Sequence, residues 1–239
     1  MRKVFFLAAT LVSAVFFQSC KSDDNFVMPP SAEVTMVNLY TNTNVVNYAV
    51  DDRLVQTLKV GNVFEYKDYM RTRVLPGERN IQARELQGKI AEYKTPIEVN
   101  KYYSTYLGGT FTKPVYFVTQ DMIAEQDKAA LENKSGIRFF NVSSDDTAVT
   151  LQIDEDIVLD RFKDRVTDTQ ESVALNQQYD LIETKTYKFT VLGPDQEILA
   201  VSKENTTFKK GIVYTIVFYG NKDNAAKPNA IGVIGNKLN

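Results

Sequence analysis

The chain has 239 residues, with 28 basic and 30 acidic side chains and a formal charge of −2, a balance that offers nucleic acid no basic surface. It contains no histidine, no tryptophan and a single cysteine, which excludes Ser-His-Asp and Cys-His nucleophilic sites and the usual zinc centres. At 44% hydrophobic and 24% charged, it reads as a globular protein that must be held by apolar cores.

The chain opens with Arg2 and Lys3, continues with an uncharged apolar stretch over residues 4–17, and then reads Gln18-Ser19-Cys20. A basic start, a short apolar run and a small residue before the cut are the layout of a secretory signal over residues 1–19. The run is too short for a spanning helix. Its end resembles the lipobox of bacterial lipoproteins, in the looser form found in Bacteroidota. Lys21-Ser22-Asp23-Asp24 resembles the acidic signal that sends such lipoproteins to the outer face of the outer membrane. The resemblance implies cleavage before Cys20, lipidation of Cys20 as the membrane anchor, and a surface-exposed outer-membrane lipoprotein. Acyl chains hold a protein at a membrane without a spanning helix. Residues 20–32, with Pro29-Pro30, read as a lipidated flexible tether.

Beyond the tether the chain repeats itself. Val34-Thr35-Met36-Val37-Asn38-Leu39 lies over Ile137-Arg138-Phe139-Phe140-Asn141-Val142 at an offset of 103 residues. The offset then holds to Val50-Asp51 over Ile153-Asp154. Later matches are Arg79 to Ala83 with Tyr187 to Val191, Tyr103-Ser104-Thr105 with Tyr214-Thr215-Ile216, and Lys113-Pro114 with Lys227-Pro228. The drift in offset is what insertions in surface loops produce. The local pattern is strand: Val46, Tyr48 and Val50 alternate with other residues, as do Val149, Leu151 and Ile153. This makes Tyr48, Val50, Leu151 and Ile153 core candidates. Turn chemistry at Asp51-Asp52, Pro76-Gly77, Gly193-Pro194 and Gly220-Asn221 punctuates the strands. The expected fold is all-β: two tandem Ig-like β-sandwich domains, the first over 33–120 and the second over 136–239. The linker, 121–135, is helix-prone over 121–133. Residues 156–178 carry apolar side chains at mixed spacing and fit no single element.

The run Ile137-Arg138-Phe139-Phe140-Asn141-Val142-Ser143-Ser144-Asp145-Asp146, continuing to Leu151-Gln152-Ile153-Asp154, resembles the opening of domain-of-unknown-function family 4397. That family is a secreted bacterial Ig-like sandwich often found in tandem. The resemblance spans most of residues 33–236 and implies fold and location. It brings no catalytic residues with it. Asp51-Asp52 and Asp154-Glu155 stand where the family often has Asp-Gly, which implies altered turns.

Several residues invite a functional reading. The acidic groups Asp51-Asp52, Asp145-Asp146 and Asp154-Glu155-Asp156 could gather oxygen ligands for calcium. The better reading is turn residues that tolerate unusual backbone angles. Asn38 and Asn141 end the first strand of each copy, where asparagine bonds to the backbone of the following loop. Tyr102, Tyr103 and Tyr106 share one strand, and alternation places Tyr102 and Tyr106 on one face. With Tyr103 and Leu107 inside, Tyr102 and Tyr106 would form an exposed strip for a protein or a sugar. Asp146-Thr147-Ala148 resembles a short bacterial O-glycosylation acceptor at Thr147.

Neither a catalytic residue nor a cofactor nor a metal site is expected. The expected function is that of a non-enzymatic, lipid-anchored cell-surface protein with an adhesive or structural role. Its partners would be the membrane, through Cys20, and a protein or glycan ligand, with no nucleic acid. The alternative is a carbohydrate-binding accessory of a surface glycan-uptake system. A hydrolase acting through paired carboxylates comes third.

Overall fold

The computed structural model describes residues 29–145 and 147–238. The signal, Cys20, most of the tether and Asp146 lie outside the described residues. The first half holds β1 (Ala32–Asn38), β2 (Val45–Val50), β3 (Arg53–Leu54), β4 (Phe64–Glu65), β5 (Tyr69–Val74), β6 (Gly77–Glu85), β7 (Gly88–Ile97), β8 (Tyr102–Gly109) and β9 (Pro114–Gln120). They form two facing sheets, β5-β1-β8-β9 and β3-β2-β6-β7, with β4 added to β2. The second half follows with β10 (Met122–Ile123), β11 (Ser135–Asn141), β12 (Thr150–Ile153), β13 (Gln178–Ile182), β14 (Thr186–Tyr187), β15 (Phe189–Leu192), β16 (Ile198–Val201), β17 (Thr206–Thr207), β18 (Val213–Tyr219) and β19 (Ala230–Asn236). Its sheets are β10-β13-β11-β18-β19, β12-β15-β16 and the small pair β14-β17.

The repeat is visible in the topology. In each half an early strand runs parallel to a late one, β1 to β8 and β11 to β18, which in turn pairs antiparallel with the last one. The chemistry of individual residues repeats as well. The hydroxyl of Tyr103 accepts the N–H of Glu98, and that of Tyr214 accepts the N–H of Lys209, each at 3.1 Å and five residues back. This is the bonding of a tyrosine corner, which ties the start of a strand to the turn before it.

Each half has its own core. Tyr48 is buried in the first among Val34, Met36, Phe64, Ile81 and Leu107, and Val50 packs against it half-buried. Leu151 and Ile153 are buried in the second with Ile137, Phe139, Phe189 and Ile216. A third core joins the halves. Val37, Tyr106 and Phe117 from the first meet Phe140, Val142, Val217 and Ile234 from the second. The β1 and β11 sheets are therefore buried on both faces, and the molecule is a stack of sheets, outer–inner–inner–outer. Strands covered on both sides read as near-continuous apolar runs, as Val213–Tyr219 does.

The linker segment contains β10, a helical turn Glu125–Asp127 and a single-turn helix Lys128–Leu131. Residues 156–178 resolve into a 3-10 turn Asp160–Phe162 and a helix Gln170–Asn176, opened by a capping box between Thr169 and Ser172.

Candidate functional site

The tyrosine strip expected at Tyr102 and Tyr106 does not form. Alternation along β8 is as anticipated, with Tyr103 and Leu107 in the first core. The opposite face, however, meets the second half instead of water. Tyr106 is 0% exposed, with ring centroids 5.3 Å from both Phe117 and Phe140. Burial raises its hydroxyl pKa. Tyr102 is half-buried. A glycan platform would need both rings exposed and coplanar, so this face supplies none.

Beside this aromatic contact lies the most buried charge pair. Arg138 donates to Asp121 at 2.5 Å, both side chains being 1% exposed. Arg138 also donates to Thr215 Oγ1 at 2.9 Å and to the Gln177 carbonyl at 3.0 Å. Its guanidinium lies 4.3 Å from the Tyr179 ring centroid. Asp121 accepts a second bond from Ser104 Oγ at 2.8 Å. Burial opposes the Arg138 charge, but Asp121, with Tyr179 and Tyr106, outweighs it and raises the pKa further. The pair is closed to solvent and satisfied on both sides. It locks Ser104 of β8 to the second half, which is a structural task.

Two of the acidic groups, Asp51-Asp52 and Asp154-Glu155-Asp156, are turn residues, whereas Asp145 accepts the side-chain amide of Asn229 at 2.9 Å. Asp51 and Asp52 take positive φ of 50° and 64°, and Asp154 takes 56°. Asp51 accepts the N–H of Asn80 at 2.9 Å and Arg79 Nη1 at 2.9 Å, and these two bonds lower its pKa. Asp154 repeats the arrangement, accepting the N–H of Lys188 at 3.0 Å. Asn38 Oδ1 accepts the N–H of Tyr40 and Asn141 Oδ1 that of Ser143, each at 3.1 Å. Their amides donate to the carbonyls of Phe64 and Arg165. Both asparagines thus hold the loop that follows them, and neither faces a ligand.

Among the clefts that the described residues open to solvent is a groove of about 560 Å³ between the edge strands β3 and β5 of the first half. Its floor is apolar and belongs to the first core: Val50, Val55 and Val74. Its rim carries Arg53, Arg73 and Arg79 with Asp51, flanked by the exposed side chains of Leu54 and Leu75. Arg79 is fixed there by bonds to the carbonyls of Leu75 at 2.9 Å and Pro76 at 2.7 Å and to Asp51. An apolar floor with a few placed polar groups is the chemistry of a recognition site. Sequence reasoning missed it because it joins residues from β2, β3, β5 and β6. The available signal was an arginine on each of the two edge strands that flank it, Arg53 on β3 and Arg73 on β5.

The fold and groove define an all-β protein of stacked sandwiches with one apolar-floored, basic-rimmed edge. No protein-family model matches the chain, and no curated protein matches it. Among solved structures it is similar to a candidate cell adhesion protein from Bacteroides uniformis, at 9% identity and a TM-score of 0.23, over 88% of this chain and 98% of that one. It is also similar to a candidate adhesin from Bacteroides ovatus, at 11% identity and a TM-score of 0.19, over 92% of this chain and 97% of that one. Likenesses of this size carry no function across.

Proposed function

We propose that the chain is a non-enzymatic, lipid-anchored protein of the bacterial cell surface, of family 4397 type, whose work is adhesive. The observation that carries this reading is the β3–β5 groove, an open surface with an apolar floor and arginines at its rim. Recognition of another macromolecule needs such a surface, whereas hydrolysis needs two carboxylates flanking a cleft, one of them with a raised pKa. The carboxylates of Asp51 and Asp154 are instead tied to backbone and cations, with lowered pKa values. The anchor is Cys20, and it leaves the described residues on the outer face.

Two measurements on bacteria test the reading. Cells bearing the chain should attach to immobilised extracellular protein more than cells lacking it, and Cys20→Ala should release the chain from the membrane fraction. Attachment indifferent to the chain, or a Cys20→Ala protein that stays membrane-bound, would count against it. So would turnover of a polysaccharide or ester abolished by one Asp or Glu substitution. Binding on a glycan array would favour the carbohydrate-binding accessory instead.

A further inference from the structure

We propose that β7, the free edge of the first half's outer sheet, pairs antiparallel with β7 of a second copy, and that this pairing joins copies anchored on facing cells. The proposal deepens the adhesive reading by naming its partner, and it rests on that reading.

Strand β7 runs for ten residues, Gly88–Ile97, and it pairs with β6 alone. The strand at the corresponding edge of the second half, β16, has four residues. A short edge strand offers another chain little to hold, whereas a long one is a template for pairing.

Which groups of β7 are open follows from the ladder. Bonded and unbonded positions alternate along an antiparallel pair. Asp51-Asp52 close the β2–β3 hairpin, and Val55 donates its N–H to the Tyr48 carbonyl. The backbone groups of Tyr48 and Val50 thus face β3, and those of Ala49 face β6. Accordingly, the N–H of Asp51 donates to the Asn80 carbonyl. On β6, then, Asn80 and Gln82 face β2 and Ile81 faces β7, where it pairs with Tyr93. Glu92 and Lys94, on either side of Tyr93, therefore turn their backbone groups outward. Pro96 takes the next outward position, where a residue without an N–H is tolerated.

One register suits a second copy. With Tyr93 on the two-fold axis, Glu92 faces Lys94 of the second copy and Lys94 faces its Glu92, each at a bonded position. Moving the axis by one residue sets either Glu92 or Lys94 against itself, and like charges directly opposed across strands are destabilising. Tyr93, 37% exposed, would meet its own copy at the unbonded position, where side chains approach more closely. The charges that bar the other registers favour this one. Glu92 has room for the contact. Its carboxylate accepts Lys89, Asn80 Nδ2 at 2.7 Å and Gln82 Nε2 at 3.2 Å, and a carboxylate accepts about four bonds. Lys94 is exposed and has no acidic partner among the described residues.

The antiparallel sense decides which cells are joined. Strand β7 runs toward the end of the molecule where β1 begins, because Asn100, in the turn after it, donates its N–H to the Ser31 carbonyl. Cys20 lies twelve residues before Ala32. Two strands paired antiparallel place these ends at opposite poles of the pair, as copies on facing membranes require. A single edge contact is small, and many copies on each surface multiply its strength.

The test has two arms. Sedimentation equilibrium of the full chain, made unlipidated by Cys20→Ala, should show a reversible dimer. Glu92→Lys or Lys94→Glu alone should weaken it at least about tenfold. The double variant Glu92→Lys/Lys94→Glu should recover it, as should an equimolar mixture of the two single variants. In the second arm, cells bearing the lipidated wild-type chain should clump. Cells bearing Glu92→Lys and cells bearing Lys94→Glu should stay dispersed separately and clump when mixed. A monomer at every concentration, a dimer that either single variant leaves intact, or no recovery in the double variant and the mixture would overturn the pairing. Recovery in solution without clumping of the mixed cells would overturn the joining of facing cells. If the chain is monomeric and its cells still attach to immobilised extracellular protein, the pairing is wrong and the adhesive reading stands. If the dimer responds as expected and cells neither clump nor attach, the adhesive reading fails and the pairing stands.

Discussion

Arg138 and Asp121 show at the level of single residues how the halves are held in register. Each charge is buried, and each is paired with the other and with neutral groups from both halves. Removing one partner leaves an uncompensated charge in the interior, so Arg138→Met should cost about 3–5 kcal/mol. Adding Asp121→Leu should recover part of that loss, and urea denaturation of the two variants measures both. Asp51 gives a pH signature. Its pKa is lowered in the folded chain by the Asn80 N–H and by Arg79. The stability it contributes is therefore present above the ordinary carboxylate value of about 3.9 and lost as pH falls through the folded value. The gap in stability between wild type and Asp51→Asn should be constant near neutrality and close below about pH 4, as read by denaturation midpoints at several pH values. The roles of Asn38, Asn141, Asp51-Asp52 and Asp154 were legible in the sequence, because turn and cap chemistry depends on near neighbours. The place of Tyr106 was not. Alternation says which side chains share a face, but what covers that face is decided by residues more than thirty positions away.

The strands follow from repeated alternation and turn residues, whereas their pairing order, with the parallel pairs β1–β8 and β11–β18, does not. The less regular elements follow from the close approach of the two halves. Gly108 on β8 is one such point: a Cβ there would sit 2.4 Å from the Val142 carbonyl oxygen. Gly108→Ala should therefore loosen the contact between β8 and the second half and lower the thermal midpoint, although alanine suits a strand no worse than glycine. The helix Gln170–Asn176 has a related task. The Gln170 side chain accepts the N–H of Val118 at 2.8 Å and donates to its carbonyl at 2.9 Å. It thereby satisfies the open edge of β9, as a neighbouring strand would. Gln170→Ala should speed hydrogen exchange at the Val118 amide and leave the other edge, at β5, unchanged. Residues 156–178 resisted reading because their apolar side chains serve two purposes. Phe162 fills the second core and Val173 joins the shared one, so neither a period of two nor one of 3.6 describes them.

At the scale of the whole molecule, the duplication was evident in the sequence and the stacking was not. Two sandwiches that repeat one strand order could each present an inner-sheet face to solvent. Here those faces meet, and Tyr106, Phe117 and Phe140 form the centre of a shared core with centroids 5.2–5.3 Å apart. Burying them removes the inner faces as binding surfaces and leaves the outer edges and loops, among them the β3–β5 groove of the first half. The runs Ile137–Val142 and Val213–Tyr219, apolar on both faces, are the trace of this in the sequence. Differential scanning calorimetry of wild type and Phe140→Ala tests the shared core most directly. One cooperative transition is expected, with calorimetric and van't Hoff enthalpies equal, and Phe140→Ala should move it downward as a whole by about 3–5 kcal/mol. Two resolved transitions, with only the one belonging to the second half displaced by Phe140→Ala, would contradict it.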